Sequence, residues 1–255
     1  MAAACGLTFC VVGRDARQLA AARALQNSGY TVLGAEGAGQ ADYILLPMPM
    51  DAEAADLARI LRAARPGTLA LGGRISERPE LACLNAVPTA EGCLALLMQL
   101  RQRTIWESGF LVLGYGRIGR AVARRLQALG GLVTIAARAP EQRAAARCAG
   151  LHAAPLTALE QLLPHFDAVI NTIPAPVLGA AQLRCLPRGA LILDLASRPG
   201  GTDFAAAREL GLRAEHALSL PARCAPETAG ALVAHTVEVI LQERAAMARS
   251  ERGVS

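Results

Sequence analysis

The segment "FLVLGYGRIGRAVARRLQALG", residues 110–130, constrains this chain more than any other. A short apolar run leads straight into Gly114-x-Gly116-x-x-Gly119. Beyond it Ile118, Val122, Leu126 and Leu129 recur at the spacing of one helix face. The bare glycine pattern is weak, but a strand before it and a helix after it make it a phosphate-binding turn. Gly114 permits the tight turn, Gly116 lets the backbone approach a pyrophosphate, and Gly119 lets the helix close on the strand. The helix start supplies unpaired N–H groups and partial positive charge, with Arg117 and Ile118 in its first turn. Arg117 either adds a charge at the pyrophosphate or faces solvent.

The next strand, "LVTIAAR", separates two cofactors. A site for NAD places Asp or Glu near the end of this strand to bond the ribose hydroxyls. Here the chain reads Ala136-Ala137-Arg138. A guanidinium in that place suits a 2′-phosphate through paired N–H bonds, so NADP is the expected cofactor. Arg143, in the following helix, either assists or lies at the surface.

Strand and helix patterns alternate through the whole sequence, which is the signature of parallel α/β units. In the first third, "LTFCVVG", "YTVLG", "ADYILLP" and "GTLALGG" read as strands. "DARQLAAARALQNSG" reads as a helix closed by Gly29, and "DAEAADLARILRAA" as one capped by Asp51. In the second series, strands are expected at 110–114, 132–136, 167–172, 190–195 and 212–215, with a long final helix from about Pro226 to Arg249. The expected fold is therefore α/β, with two Rossmann-like parallel-sheet domains of which the C-terminal one binds the dinucleotide. The divisions expected are 1–87 for an α/β substrate or partner domain, 88–108 for an interdomain helix, 109–220 for the NADP domain, and 221–255 for a helix packing back on the N-terminal domain.

Composition narrows the function classes. The chain is 53% hydrophobic and 18% charged, which supports a sizeable core. Aromatics are only 3%, too few for the stacking platforms that hold single-stranded nucleic acid. The +5 charge comes from scattered arginines, either a solvated basic surface or a field that draws an anionic ligand. No nucleic-acid partner is expected. Seven cysteines without a C-x-x-C pair read as reduced thiols, and four widely separated histidines offer no metal site. No membrane span is expected, because no apolar run reaches about 18 residues.

Further candidates lie at strand ends, where α/β sheets bind ligands. "VVGRDARQ" carries one glycine where a dinucleotide turn has three, so it is not expected to hold a dinucleotide in the same way. Its Arg14 and Arg17 are either substrate-carboxylate ligands or exposed helix-start residues. In "DAVINTIPAPVL", Asn171 and Thr172 either bond a ribose or carboxamide, with Ile173 and Pro174 continuing the same cofactor-binding loop, or belong to a purely structural turn. In "LILDLASRPGGTDF", Asp194 is either a buried, paired carboxylate or a site acid. The turn beyond it exposes Ser197 and Arg198, and Arg198 either grips a carboxylate, for which it has the chemistry, or stands in a plain surface loop. Thr228 opens the last helix, in a capping or a substrate role. No general base is identifiable, so the catalytic residue is left unassigned.

Taken together, "GRDARQL", "VPTAEG", "GYGRIGRAVARRL", "NTIP", "LILDLASRPGGTDF" and "APETAG" resemble the A chains of the dipicolinate synthase family. The resemblance covers both halves and is most specific over residues 167–232. It implies an NADP-dependent oxidation of a dihydro- or 4-hydroxytetrahydrodipicolinate, a small dicarboxylate, to the aromatic pyridine-2,6-dicarboxylate. It also implies the flavoprotein-like second subunit of dipicolinate synthase as partner, homo-oligomer formation, and a cytoplasmic place in the mother cell of a sporulating bacterium. Two other readings stay open: a different two-domain NADP dehydrogenase acting on a hydroxy or amino acid, and a dinucleotide-binding protein without turnover.

Overall fold

The computed structural model describes residues 6–48, 54–72, 75 and 78–252. The expected cap Asp51 lies outside the described residues. The chain divides into two compact units, one formed by Met1–Asn85 with Pro221–Ser255 and the other by Ala86–Leu220.

The smaller unit contains strands β1 (Thr8–Val11), β2 (Thr31–Leu33), β3 (Tyr43–Leu45) and β4 (Leu69–Leu71). All pair in parallel, in the order β2-β1-β3-β4. Helix α1 (Ala16–Asn27) starts where the Asp15 carboxylate accepts from the Gln18 N–H at 2.8 Å. It stops at Ser28-Gly29, where Gly29 takes φ +91° and Tyr30 N–H returns to the Leu25 carbonyl. Helices α2 (Ala54–Ala63) and α3 (Pro79–Leu84) follow. The core gathers Phe9, Leu25, Leu45, Leu71 and Ile75 with Val233 and Val237 of a far later helix.

The larger unit opens with α4 (Ala86–Leu100) and continues through β5 (Gly109–Leu113), α5 (Arg117–Ala128), β6 (Leu132–Ala137), α6 (Pro140–Cys148) and β7 (His152–Pro155). Then come β8 (Ala168–Asn171), α7 (Ala180–Arg184), β9 (Leu191–Asp194), α8 (Phe204–Glu209) and β10 (Arg213–His216). The six parallel strands stand in the order β10-β9-β8-β5-β6-β7. The sequence order reverses between β5 and β8, leaving a crevice at their carboxyl ends. Neighbouring residues of β5 serve opposite faces: Phe110 and Val112 enter one core with Leu97, Val122 and Ile135, while Leu111 and Leu113 enter another with Val169, Leu183 and Ile192. A strand buried on both faces needs an unbroken apolar run, which is why "FLVL" shows no alternation.

Beyond them, α9 (Leu220–Cys224) leads to α10 (Pro226–Arg252), which lies against α1 in the smaller unit. A Cβ on Gly230 would fall 2.5 Å from both Ala20 Cβ and the Ala21 amide nitrogen, so glycine sets this helix contact. The helix expected over 88–108 is α4. It ends at Leu100, and its Glu91 pairs with Arg125 of α5 at 3.0 Å within the larger unit. The apolar stretch Pro79–Leu100 has the length and composition of a membrane span, but it forms two helices and just over half of its most apolar window is buried.

One strand has no counterpart among those expected. β7, "HAAP", pairs only with β6, at the sheet edge, and both its end residues are exposed. It has no β-branched or aromatic residue and ends in proline, so neither propensity nor alternation marks it.

Candidate functional site

The glycine turn stands at the carboxyl end of β5, beside the crevice. Gly114 has φ +88° and its N–H donates to the Ala136 carbonyl at 2.9 Å. A Cβ on Gly119 would lie 2.3 Å from the Gly114 carbonyl oxygen, so only glycine allows α5 this close. Gly116 is different: a Cβ there would meet nothing within 4 Å. That open space lies above the start of α5, where no side chain caps the helix. An uncapped twelve-residue helix beneath an open glycine fits an anionic pyrophosphate.

Arg117 is exposed at the first position of α5, and Ile118 packs partly against the core. Tyr115 is buried under the Arg120 guanidinium, 5.2 Å from its carbon to the ring centre. Arg120 Nε also donates to the Tyr115 carbonyl at 3.1 Å. This brace on the loop has no signature in the sequence beyond an arginine among many.

At the end of β6, Arg138 is exposed. Arg143 reaches back from α6 and donates to the Ala137 and Arg138 carbonyls at 3.0 and 2.6 Å. Its guanidinium therefore fixes the strand end from which Arg138 projects. An exposed guanidinium at this strand end has the chemistry to meet the 2′-phosphate of NADP.

The ends of β8 and β9 correct one expectation. Asn171 is fully buried, and its amide is consumed inside the protein. It donates to the Ile173 carbonyl at 3.1 Å and to Asp194 Oδ1 at 2.9 Å, and accepts from the Ile173 N–H at 3.0 Å. It does not offer its amide to a ribose or carboxamide. Thr172 sits beneath the glycine turn, donating to the Leu113 carbonyl at 2.8 Å. A Cβ on Gly114 would press to 2.7 Å from Thr172 Oγ1 and 2.9 Å from Ile173 Cγ1, so both residues floor the turn. Pro174 is exposed in the loop beyond.

Asp194 is fully buried. One oxygen accepts from Asn171 and from the Ala196 N–H at 3.0 Å, the other from the Gly201 N–H at 2.8 Å. Between these two anchors Ser197, Arg198 and Pro199 are exposed. His216, at the end of β10, places Nε2 2.9 Å from the Ala196 carbonyl and stacks on Phe204 at 5.2 Å. Its part in this cluster was not legible, because nothing in the sequence pairs a β10 residue with the β9 loop.

Three candidates belong to the smaller unit. Arg14 is exposed in the turn between β1 and α1. Arg17 is mostly buried, with Nη2 donating to Asp15 at 3.2 Å and to the Met48 carbonyl and Nε left without a partner, so it is not an exposed helix-start residue. Thr228 is exposed in the first turn of α10, and the neighbouring Glu227 pairs with Arg23 of α1. Among the described residues, no group of three or more His, Cys, Asp or Glu side chains could hold a metal ion. Burial pushes the Cys10 thiol up to about 11, with nearby Glu36 adding to it, and pushes Cys93 up to about 12. Both stay protonated near neutral pH, as small core residues rather than nucleophiles.

Comparison with known proteins agrees with this geometry. Residues 110–234 match the model of the saccharopine dehydrogenase NADP binding domain. The sequence is 39% identical to the dipicolinate synthase A chain of Bacillus subtilis (strain 168) over 170 residues, 67% of this chain and 57% of the relative. It thus spans a little over half the length of that curated relative. Among solved structures, the dipicolinate synthase A chain of Bacillus subtilis is 30% identical with TM-score 0.78, covering 95% of this chain and 98% of that one. Its counterpart from Bacillus halodurans is 29% identical with TM-score 0.83, covering 92% and 98%.

Proposed function

The protein belongs to the family of dipicolinate synthase A chains, with a domain that binds NADP, and from that premise we propose that it oxidises a dihydrodipicolinate-type ring to pyridine-2,6-dicarboxylate. The observation that carries the proposal is the exposed Ser197-Arg198 tip, held at the carboxyl end of β9 on the half of the sheet next to the glycine turn. The glycine turn would hold the dinucleotide's phosphates, and the ends of β8 and β9 border the same carboxyl edge of the sheet. Arg198 is then the cation for one ring carboxylate, through paired N–H bonds. Ser197 adds a hydroxyl at the same edge.

NADP, when bound, accepts the hydride. The remaining change is the loss of a ring proton to a base and, from the hydroxylated precursor, of water. Two hydrogens leave the dihydro ring in total, one as hydride and one as proton, and aromatisation drives the step. The protein's own part is to fix the dinucleotide through the glycine turn, select the 2′-phosphate with Arg138, and hold the dicarboxylate with Arg198. A flavoprotein-like second subunit as partner and a cytoplasmic place in a sporulating mother cell are parts of the same proposal.

The test is to mix the protein with NADP and freshly made 4-hydroxytetrahydrodipicolinate, with and without the flavoprotein-like partner. Reduced cofactor and the ultraviolet signature of a pyridine dicarboxylate should rise together, and Arg198→Ala should weaken substrate use while NADP binding persists. NADP binding with no product in either mixture would overturn the proposal.

A further inference from the structure

Resting on that reading, the geometry points to Asp194 as a positioning residue: its buried carboxylate sets the shape of the loop that presents Ser197 and Arg198. A carboxylate with no exposure is costly unless its oxygens are satisfied. Among the described residues no ion pair reaches it. Its bonds come instead from the Ala196 N–H and the Gly201 N–H, on either side of the exposed tip, and from Asn171 at the end of β8. One side chain thus ties together the entry and the exit of the loop and the neighbouring strand end.

The surroundings leave the loop little room to take another shape. The Gly200 N–H closes the tip onto the Ser197 carbonyl at 2.9 Å, and Gly200 has φ +88°. A Cβ on Gly200 would stand 3.2 Å from both Asp194 Oδ2 and His216 Nε2. A Cβ on Gly201 would stand 2.5 Å from Asn171 Nδ2. The Gly201 carbonyl accepts from the Val177 and Leu178 N–H groups, which joins this loop to the one after β8. The exposed Arg198 takes its direction from the backbone beneath it, so whatever shapes that backbone aims the guanidinium. A small misplacement of a gripping residue can cost a rate factor of about 100.

Asn in place of Asp is a sharp probe, because every partner of this carboxylate is a donor. Whichever way the new amide turns, its NH2 meets an N–H: Asn171 and Ala196 on one side, Gly201 on the other. In the turnover assay with NADP and 4-hydroxytetrahydrodipicolinate, Asp194→Asn should lower kcat/KM for the dicarboxylate roughly 10–100-fold while leaving the NADPH dissociation constant within about threefold. The decisive readout is a double-mutant cycle with Arg198→Ala. If Asp194 acts through Arg198, adding Asp194→Asn to Arg198→Ala should cost less than about a further twofold. Additive losses, or an Asp194→Asn protein as active as the parent, would overturn the inference. If Asp194→Asn does not fold, Asn171→Ala removes one donor to Asp194, together with the bonds to Ile173, and leaves both loop anchors, and the same cycle applies at saturating NADP with a smaller first loss. Arg198→Ala without effect on substrate use would instead overturn the role of Arg198 in the proposed function, and this inference with it.

Discussion

The two units solve the same topological problem in opposite ways. Each has a crevice where strand order reverses, between β1 and β3 in the smaller unit and between β5 and β8 in the larger. Each crevice is bordered by the turn from the unit's first strand into its first crossover helix. Counted from the helix start, Gly13-x-Asp15-x-x-Gln18 falls where Gly114-x-Gly116-x-x-Gly119 falls. Both first glycines have positive φ, +111° and +88°. After that the turns diverge. Asp15 caps its own helix, where Gly116 leaves the helix start open. Gln18 reaches across its crevice and donates to the Val12 and Leu46 carbonyls at 2.9 and 2.8 Å, where Gly119 has no side chain at all. One crevice is filled by the protein, the other is cleared for a ligand. Topology alone therefore does not leave such a crevice open; two residues of the turn decide whether it is filled.

Exchanging those residues is the strongest way to break the comparison. Gly119→Gln places a Cβ into the Gly114 carbonyl, and overpacking of this kind costs about 1–3 kcal/mol or more. NADPH binding should vanish, and the melting temperature should fall. Gly116→Asp, whose Cβ meets open space, should leave the melting temperature nearly unchanged while weakening NADPH at least about tenfold by setting a carboxylate against phosphate. Unchanged NADPH affinity in both variants would show that the turn is not the site. In the smaller unit the expected loss is of stability only. Gln18→Ala leaves two buried carbonyls without their donor, at about 1–3 kcal/mol each at most, read by denaturant unfolding. A change in NADPH affinity in that variant would contradict the separation of roles. The smallest effect is expected from Arg138→Ala: NADPH binding should weaken about tenfold, NADH binding hardly at all. Equal loss for both cofactors would remove the 2′-phosphate role.

The legible parts of the molecule are those where one residue does one local thing. The glycine turn, the apolar doubly buried β5 and the cationic end of β6 all speak through neighbours in sequence. What stayed hidden depends on partners brought close only by folding. Position alone leaves Asn171 open to a ligand-binding or a structural role, and Asp194, 23 residues later, is the partner that decides for the second. Arg17 reads from its position as a residue at a helix start, while its burial and its Nη2 bonds to the Met48 carbonyl and Asp15 come from folding. β7 stayed hidden for a different reason: an edge strand of alanines carries almost no pattern to read.

The smaller unit is not continuous in sequence. Its sheet and α1 come from the first 85 residues, while α10, which supplies Val233, Val237 and the close Gly230 contact, follows the whole of Ala86–Leu220. At ordinary synthesis rates of about 5–20 residues per second, roughly 7–27 s separate the two parts on the ribosome. Only at the end of that wait does the larger unit have all of its strands, and throughout it the face of α1 that α10 covers stands without its partner. The larger half is thus complete in sequence before the smaller one, whose first 85 residues wait for a helix made last.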